Sequence, residues 1–482
     1  MAKMFSGGEY VDSISGKITE VLNPATGEVI DTAPEGDRDD VKSAVDAAEQ
    51  AFKTWAKIPF SERGAILYKS ASLVLQNEKD LATLLTREQG KPLREAIREI
   101  RRFAHTLEHY AGLAKNVRGG YVPLLDATRF GMIIKRPFGV CGAIVPWNFP
   151  VSLMGNKIAP GLLAGNTFVV KPASTTPLTA TKVIELMFQA GLPAGALNIV
   201  CGPGSSVGQE ILENPKVRKI GFTGATETGR KVMEAAAKEI KRVTLELGGS
   251  DPMIVCDDAD IDKAVSAASV GRFFNCGQAC LAVKRVYLFE NIAEEFTEKL
   301  LAKVQKLTLG NGLDKGTLIG PLHTDVQRTE VESQVQDAVD KGARILAGGK
   351  RPDEDSLQEG NYYLPTILDR VDDSSKMVRE EVFGPALPLM RVKNLDEALE
   401  KANDHIYGLG SSIWTQNVDR AHKAAELLEA GYTWVNSAQI IFDELPFGGV
   451  KQSGLGKEHG SEAIDYYMET KSVVFAKNDL VK

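Results

Sequence analysis

Three side chains of different chemistry are spread along this chain, and together they suffice for acyl chemistry. Cys280 ends the stretch Phe273-Phe-Asn-Cys-Gly-Gln-Ala-Cys280. As a thiolate it attacks a carbonyl carbon. Gly277 and Gln278 before it allow close backbone packing and polar contact, and Cys280 is expected near the start of a turn whose N–H groups favour the anion. Asn148 lies in Pro146-Trp-Asn-Phe-Pro150, where prolines fix the loop and aromatic rings shield it. A rigid amide N–H in a dry pocket is what a tetrahedral oxyanion requires. Glu246 follows the apolar run Val243–Leu245 and precedes Gly248-Gly249. A carboxylate so placed can be desolvated, which raises its pKa and suits it to general-base work. Each residue alone also fits an ordinary reading: a structural thiol, an Asn satisfying a turn, a carboxylate paired with a cation. Cys141, Cys201, Cys256 and Cys276 have no such context and read as structural.

A second set of segments suits a dinucleotide. Val169-Val-Lys-Pro-Ala173 puts Lys171 at the carboxyl end of a strand, within reach of a ribose or phosphate. Gly202-Pro-Gly-Ser-Ser-Val-Gly208 follows the next strand, and Gly204 and Gly208 let the backbone approach a ligand, although the spacing is not G-x-G-x-x-G. Phe222-Thr-Gly-Ala-Thr-Glu-Thr-Gly229 joins a strand to a helix whose N-terminus suits a pyrophosphate, which brings in Phe222, Gly224, Ala225 and Thr228. Ile144, Pro146, Trp147 and Leu247 complete the expected cofactor site. Any one of these glycines alone fits an ordinary turn.

These residues need elements to hold them. Asp39–Trp55, Ser61–Gln76 and Thr83–Leu113 read as helical, so the opening third is helix-rich. From Val140 short apolar runs alternate with amphipathic stretches. Strands are expected at Val140–Val145, Thr167–Val170, Leu197–Cys201, Val217–Phe222 and Val243–Leu245. Helices are expected at Ser152–Leu163, Pro177–Ala190, Ser205–Glu213 and Ala225–Glu239. That alternation predicts a doubly wound parallel sheet with ligands at the carboxyl ends of its strands. A second series at Met253–Cys256, Arg285–Phe289, Ala343–Leu346, Leu387–Arg391, Ser411–Trp414 and Tyr432–Val435 predicts a second α/β domain that carries Cys280. Tyr121–Arg136 and Lys471–Ala476 read as strands left over from both.

The chain has 482 residues, 43% hydrophobic and 25% charged, as a soluble globular protein of two or three domains should. With 57 basic and 64 acidic residues the net charge is −7, which argues against nucleic acid or an anionic membrane as partner. Phe138 to Val170 is poor in charge, interrupted only by Lys157, but its prolines and glycines argue against a membrane helix. No secretory signal is read at the N-terminus, and five cysteines in a chain this long form no disulfide framework. A cytoplasmic protein is expected. The six histidines form no ligand-spaced cluster, so no metal is expected.

In order and wording these segments, from Asn23-Pro-Ala-Thr-Gly-Glu28 to Thr470-Lys-Ser-Val-Val474, closely resemble the aldehyde dehydrogenase superfamily. The resemblance implies an α/β fold with a Rossmann-like cofactor domain (1–118 and 138–248), a catalytic domain carrying Cys280 (249–448), and a small bridging sheet (119–137 and 464–482) for a homodimer or homotetramer. It implies oxidation of a small-molecule aldehyde to the acid through a thioester, with Glu246 activating water. It also implies that Glu381, in Glu380-Glu-Val-Phe-Gly-Pro385, holds the nicotinamide ribose and that Phe383 packs near the ring. Many NAD-preferring members have Glu three residues after the lysine, where this chain has Ser174. NADP is therefore favoured over NAD, with dual use open. Ala225 replaces a common Ser. Members acting on succinate semialdehyde carry Arg near the substrate loops, where this chain has Asn156 and Phe274. With Phe149, Leu153 and Phe447 these line a mostly apolar pocket suited to aromatic or medium aliphatic aldehydes. Asn156 or Gln439 leaves lactaldehyde or glyceraldehyde open, and a semialdehyde remains an alternative. A non-catalytic cofactor-binding or structural protein on the same fold is the alternative of another class.

Overall fold

Two mostly parallel sheets organise residues 2–477, which the computed structural model describes. The central strands of the first run in the order Leu197–Ile199, Thr167–Lys171, Val140–Ile144, Val217–Thr223 and Arg242–Glu246, all parallel. These strands are apolar and almost wholly buried, as a sheet covered on both faces requires. The chain winds outward from Val140–Ile144 on one side, then crosses back to Val217–Thr223 on the other. The strand order therefore reverses between these two strands, where Ile144 pairs with Phe222. Crevices for ligands open at such a switch point. Gly454–Leu455 returns from late in the chain to pair antiparallel with the strand of Glu246.

The second sheet has the order Arg344–Ala347, Thr366–Asp369, Ala386–Val392, Val283–Phe289, Asp251–Val255, Gly410–Trp414 and Tyr432–Val435. Only the edge strand Arg344–Ala347 is antiparallel to its neighbour. Thr366–Asp369 has no counterpart among the strands expected from the sequence; four residues between turns carry too little periodicity to mark it. Met468–Ala476 pairs antiparallel with Arg129–Pro137 over its whole length, and Gly120–Pro123 pairs with the latter, making a separate three-stranded sheet. Of the expected bridging segment 464–482, residues 478–482 lie outside the described residues.

The helical stretch Thr83–Leu113 is two helices, Glu78–Gln89 and Leu93–Leu113. Gly90, at φ 101°, closes the first as a left-handed cap, and Pro92 leads into the second. Ser205–Glu213 likewise divides into a wide turn at Gly204–Gly208 and the short helix Gln209–Glu213. The other expected helices appear within two residues of their predicted ends, among them Pro150–Ala164 and Thr226–Lys238. Among the described residues no helix is long and apolar enough to cross a membrane.

Candidate active site

The loop that carries Cys280 follows the helix Ile261–Phe273 and is held in a conformation that most residues avoid. Asn275, Cys276 and Gly277 have φ of 49°, 55° and 73°, three successive left-handed residues. A Cβ on Gly277 would lie 2.2 Å from the carbonyl oxygen of Gly384, so glycine is required there on two counts. Buried polar side chains fix the loop. The Asn275 N–H donates to Glu95 Oε2 at 2.8 Å, and Asn275 Nδ2 donates to the carbonyls of Asn148 at 3.0 Å and Gln278 at 3.2 Å. Gln278 Nε2 donates to Asn275 O at 3.0 Å, while its Oε1 accepts the His323 N–H at 2.8 Å. The Arg272 guanidinium, buried at the end of the helix, donates to Gly277 O at 2.8 Å, to Val382 O at 3.1 Å and to Gly384 O. One cation thus ties the Cys280 loop to the segment carrying Glu381 and Phe383.

Cys280 emerges half-buried from this frame. Desolvation pushes its thiol up to about 12; Lys284 favours the thiolate, whereas Glu381, Glu246 and Asp251 oppose it. Asn148 is buried and shares a cavity of about 390 Å³ with Cys280. Its Nδ2 donates to Gln278 O at 3.1 Å, which uses one of two amide protons. Lys91 Nζ donates to Asn148 O at 2.7 Å, so the loop is fixed from behind. Lys91 is itself paired with Glu99 at 2.5 Å, and Glu99 Oε1 accepts the N–H of Val151 at 2.9 Å.

Pro146, Trp147, Gly224, Ala225, Leu247, Glu381 and Phe383 line the same cavity, half of the residues expected to bind cofactor, and Leu153 of the expected substrate pocket joins them. Phe383 packs edge-on to Trp147, with ring centres 5.6 Å apart. Tyr407, Gln327 and Glu330 also line the cavity and were not singled out in the sequence. Ala225 precedes the helix Thr226–Lys238 and supplies no side-chain cap, which leaves first-turn N–H groups free for an anion. Thr228 is exposed on that helix. Further out, Lys171 ends its strand with its stem against Gly208, and burial lowers its pKa to about 8. Lys171 Nζ donates to Pro172 O at 3.1 Å, and Ser174 Oγ donates to Gly202 O at 2.9 Å.

Glu246 ends its strand on another side of Cys280. It is buried, and its Oε1 has no hydrogen-bond partner. A Cβ on Gly448 would come within 2.5 Å of that oxygen. Burial raises its pKa well above 4.5 and nearby Glu458 raises it further, against Lys157 and Lys457. Glu458 is paired with Lys157 at 2.7 Å, and Lys157 also donates to Thr223 Oγ1 at 2.5 Å. Asn156, expected in the substrate pocket, is buried here and donates from Nδ2 to Glu458 Oε2 at 3.1 Å. The signal for this group was Lys157, the one charge in an apolar run; its partner Glu458, about 300 residues away, had none.

Of the residues expected in the substrate pocket only Leu153 lines the cavity; Phe149, Asn156, Phe274 and Phe447 are not among its lining residues. Phe149 stacks on Phe274, with centres 5.8 Å apart and planes at 11°. Phe447, Trp434 and Leu409 form a buried cluster against which Cys280, Leu281, Tyr432 and Ile441 pack. Gln439 turns from this wall towards Asp251, with Nε2 to Oδ2 at 3.4 Å.

The chain shares 43% identity with the glutarate-semialdehyde dehydrogenase of Pseudomonas putida, over 97% of this chain and 96% of that one. It shares 42% with the NADP(+) succinate-semialdehyde dehydrogenase GabD of Escherichia coli K12, over 96% and 95%. A crystal structure of an E. coli NADP-dependent enzyme superposes with a TM-score of 0.96 at 41% identity, covering 98% of both chains. Residues 10–473 match the aldehyde dehydrogenase family throughout. The chain belongs to the aldehyde dehydrogenase family and is an NAD(P)-dependent oxidoreductase.

Proposed function

We propose that this enzyme oxidises an apolar aldehyde, aromatic or medium aliphatic, to the carboxylic acid through a thioester on Cys280. The observation that carries the reading is the meeting of Cys280 and Asn148 in one cavity, with the partnerless carboxylate oxygen of Glu246 at a neighbouring strand end. The Cys280 thiolate adds to the aldehyde carbon, and the oxygen of the resulting thiohemiacetal accepts from the Asn148 amide and the Cys280 N–H. Bound NAD(P)+ supplies the acceptor for the hydride that leaves this carbon as the thioester forms. Glu246 then takes a proton from water; the hydroxide adds to the thioester, and the acid departs as the thiol is restored.

The residues present suit the dinucleotide. The free N-terminus of Thr226–Lys238 suits its pyrophosphate. Gly248 leaves room beside Glu381, where a Cβ would lie 2.3 Å from Oε2. Glu381 is read as holding the nicotinamide ribose. Ser174 brings no carboxylate against a 2′-phosphate and Lys171 attracts one, which supports NADP over NAD. Ser174→Glu is expected to lower kcat/KM for NADP about tenfold or more, through repulsion of the phosphate.

The stacked Phe149 and Phe274, with Phe447 behind Cys280, support an uncharged substrate, and the Nδ2 donor of Asn156 is engaged by Glu458 while its Oδ1 has no partner among the described residues. A semialdehyde is the second reading, favoured by what the relatives from P. putida and E. coli are named for. Initial rates with benzaldehyde, hexanal and succinate semialdehyde separate the two, with Cys280→Ala as control. A higher kcat/KM for succinate semialdehyde would sink the apolar reading and leave the chemistry standing. The exposed Tyr121, Val474 and Phe475 on the three-stranded sheet support assembly of copies through that sheet, which light scattering would test.

A further inference from the structure

Lys284 is fully buried in the strand Val283–Phe289, and the steps above do not use it. Its ammonium donates to Gly249 O at 2.8 Å, to Cys280 O at 2.7 Å and to Glu381 Oε1 at 2.5 Å, so all three protons are engaged. It also faces the ring of Phe383, 5.7 Å from its centre. Glu381 Oε1 accepts in addition the N–H of Gly249 at 3.1 Å. That oxygen is saturated by protein, whereas Oε2 takes no hydrogen bond among the described residues.

We propose that Lys284 is a positioning residue that fixes the Glu381 carboxylate and the Cys280 carbonyl on one ammonium, so that the cofactor's ribose site and the nucleophile are set by the same cation. The inference rests on the reading of Glu381 as the ribose-binding carboxylate. A carboxylate on a loop between two elements keeps several rotamers, and binding a ribose would have to freeze it. With Oε1 clamped, Oε2 stands ready and that ordering is already done. The same charge acts on the thiol. Lys284 is the group that favours the thiolate, and Glu381, Glu246 and Asp251 are those that disfavour it. A neutral side chain at position 284 would leave three carboxyl groups, and no cation, acting on the thiol from three parts of the chain.

The test uses Lys284→Gln in the full-length enzyme, because Gln still donates to carbonyls but carries no charge. Three readouts are compared with wild type: NADP+ affinity by tryptophan fluorescence, the pH profile of Cys280 alkylation by iodoacetamide, and the melting temperature. The expected result is an NADP+ Kd raised about tenfold, as loss of one charge-assisted hydrogen bond implies, and an alkylation midpoint moved to higher pH. A folded Lys284→Gln enzyme with wild-type Kd and midpoint would overturn the proposal. If that variant does not fold, the double variant Lys284→Gln/Glu381→Gln removes both charges and leaves neither buried alone. Its Kd should equal that of Glu381→Gln, because the two residues act as one unit; a further loss in the double variant overturns the proposal. Glu381→Gln alone separates the two readings. If it leaves the NADP+ Kd unchanged, the ribose role of Glu381 fails first. If it weakens binding while Lys284→Gln does not, only the role of Lys284 fails.

Discussion

The loop that presents Cys280 and the pocket that holds Glu246 differ in how firmly the presented side chain is surrounded by hydrogen bonds. In the loop the strained backbone is over-determined: Glu95, Arg272, Gln278 and the Asn275 amide each take up a carbonyl or N–H of the loop or of its neighbours. In the pocket a buried carboxylate oxygen is left with no partner, and a second buried carboxylate lies close enough to raise its pKa. The difference suits the roles proposed for the two side chains. A nucleophile gains from a fixed position, and its loop is tied by many hydrogen bonds, with only Asn275 Oδ1 and Arg272 Nε of that frame left without a partner among the described residues. A base must take up a proton, so its surroundings leave an oxygen free and its charged form unfavoured.

The largest expected effect breaks the first half of the contrast. Cys280→Ser should lower aldehyde oxidation by about a thousandfold or more, because the hydroxyl is a far weaker nucleophile than the thiolate. The melting temperature should stay within a degree or two, since none of the bonds that fix the loop involves the thiol. A Cys280→Ser enzyme that turns over aldehyde at the wild-type rate would remove the thioester from the mechanism.

Glu246→Gln addresses the second half. Hydrolysis of the thioester should slow about a hundredfold to ten-thousandfold, while its formation continues. Rapid mixing should then show a burst of reduced cofactor of one per site, followed by slow turnover. Stability should move the other way. The native carboxyl has a pKa raised above its unfolded 4.5, so the folded state binds the proton more tightly. Its contribution is complete below 4.5 and is lost as pH rises towards the native value. Glutamine has no such loss, so the variant should melt above wild type at pH 8, with the gap closing towards pH 4.5. A lower melting point at pH 8 would mean that Glu246 is paired, and the contrast between the two regions would dissolve.

Gly277→Ala tests how much the loop's conformation depends on glycine. The added methyl meets the carbonyl of Gly384 at 2.2 Å and the φ of 73° is unfavourable to it. A loss of about 2 to 4 kcal/mol is expected, from strain and displacement together, with kcat reduced as well. Urea unfolding followed by activity would show whether the two losses move together.

The candidate residues are more legible in the sequence than the groups that support them. Cys280, Asn148 and Glu246 each sit in a short motif whose prolines, glycines or apolar runs mark a constrained loop or strand end. The parallel strands were legible because burial on both faces leaves unbroken apolar runs. The supports are different in kind. Glu95 reaches Asn275, Lys157 reaches Glu458 and Lys284 reaches Glu381 across separations of 180, 301 and 97 residues, and no local pattern joins such partners. In a single sequence a buried lysine or glutamate looks like a solvated one. Asn156 shows the same limit: its Nδ2 donates to a carboxylate from the far end of the chain, and no local pattern marks that pair.

Gly448→Ala is the finest probe, because it presses on the base without touching the nucleophile. A methyl there would approach Glu246 Oε1 to 2.5 Å and the Gly456 carbonyl oxygen to 2.8 Å, at a φ of 155° near the edge of extended backbone. The Glu246 side chain can yield by rotation, whereas the Gly456 carbonyl belongs to the backbone, so a stability loss of about 1 to 2 kcal/mol is expected. The carboxylate has no hydrogen bond from Oε1 to return it to place, so a displacement of a few tenths of an ångström should persist. Hydrolysis of the thioester should slow about tenfold, in line with the sensitivity of proton transfer to position. Thioester formation should not change, since the bonds that fix the Cys280 loop do not pass through Gly448. Equal slowing of both steps, measured as burst rate against steady-state rate, would mean that loop and pocket are one rigid unit rather than a fixed nucleophile beside a free base.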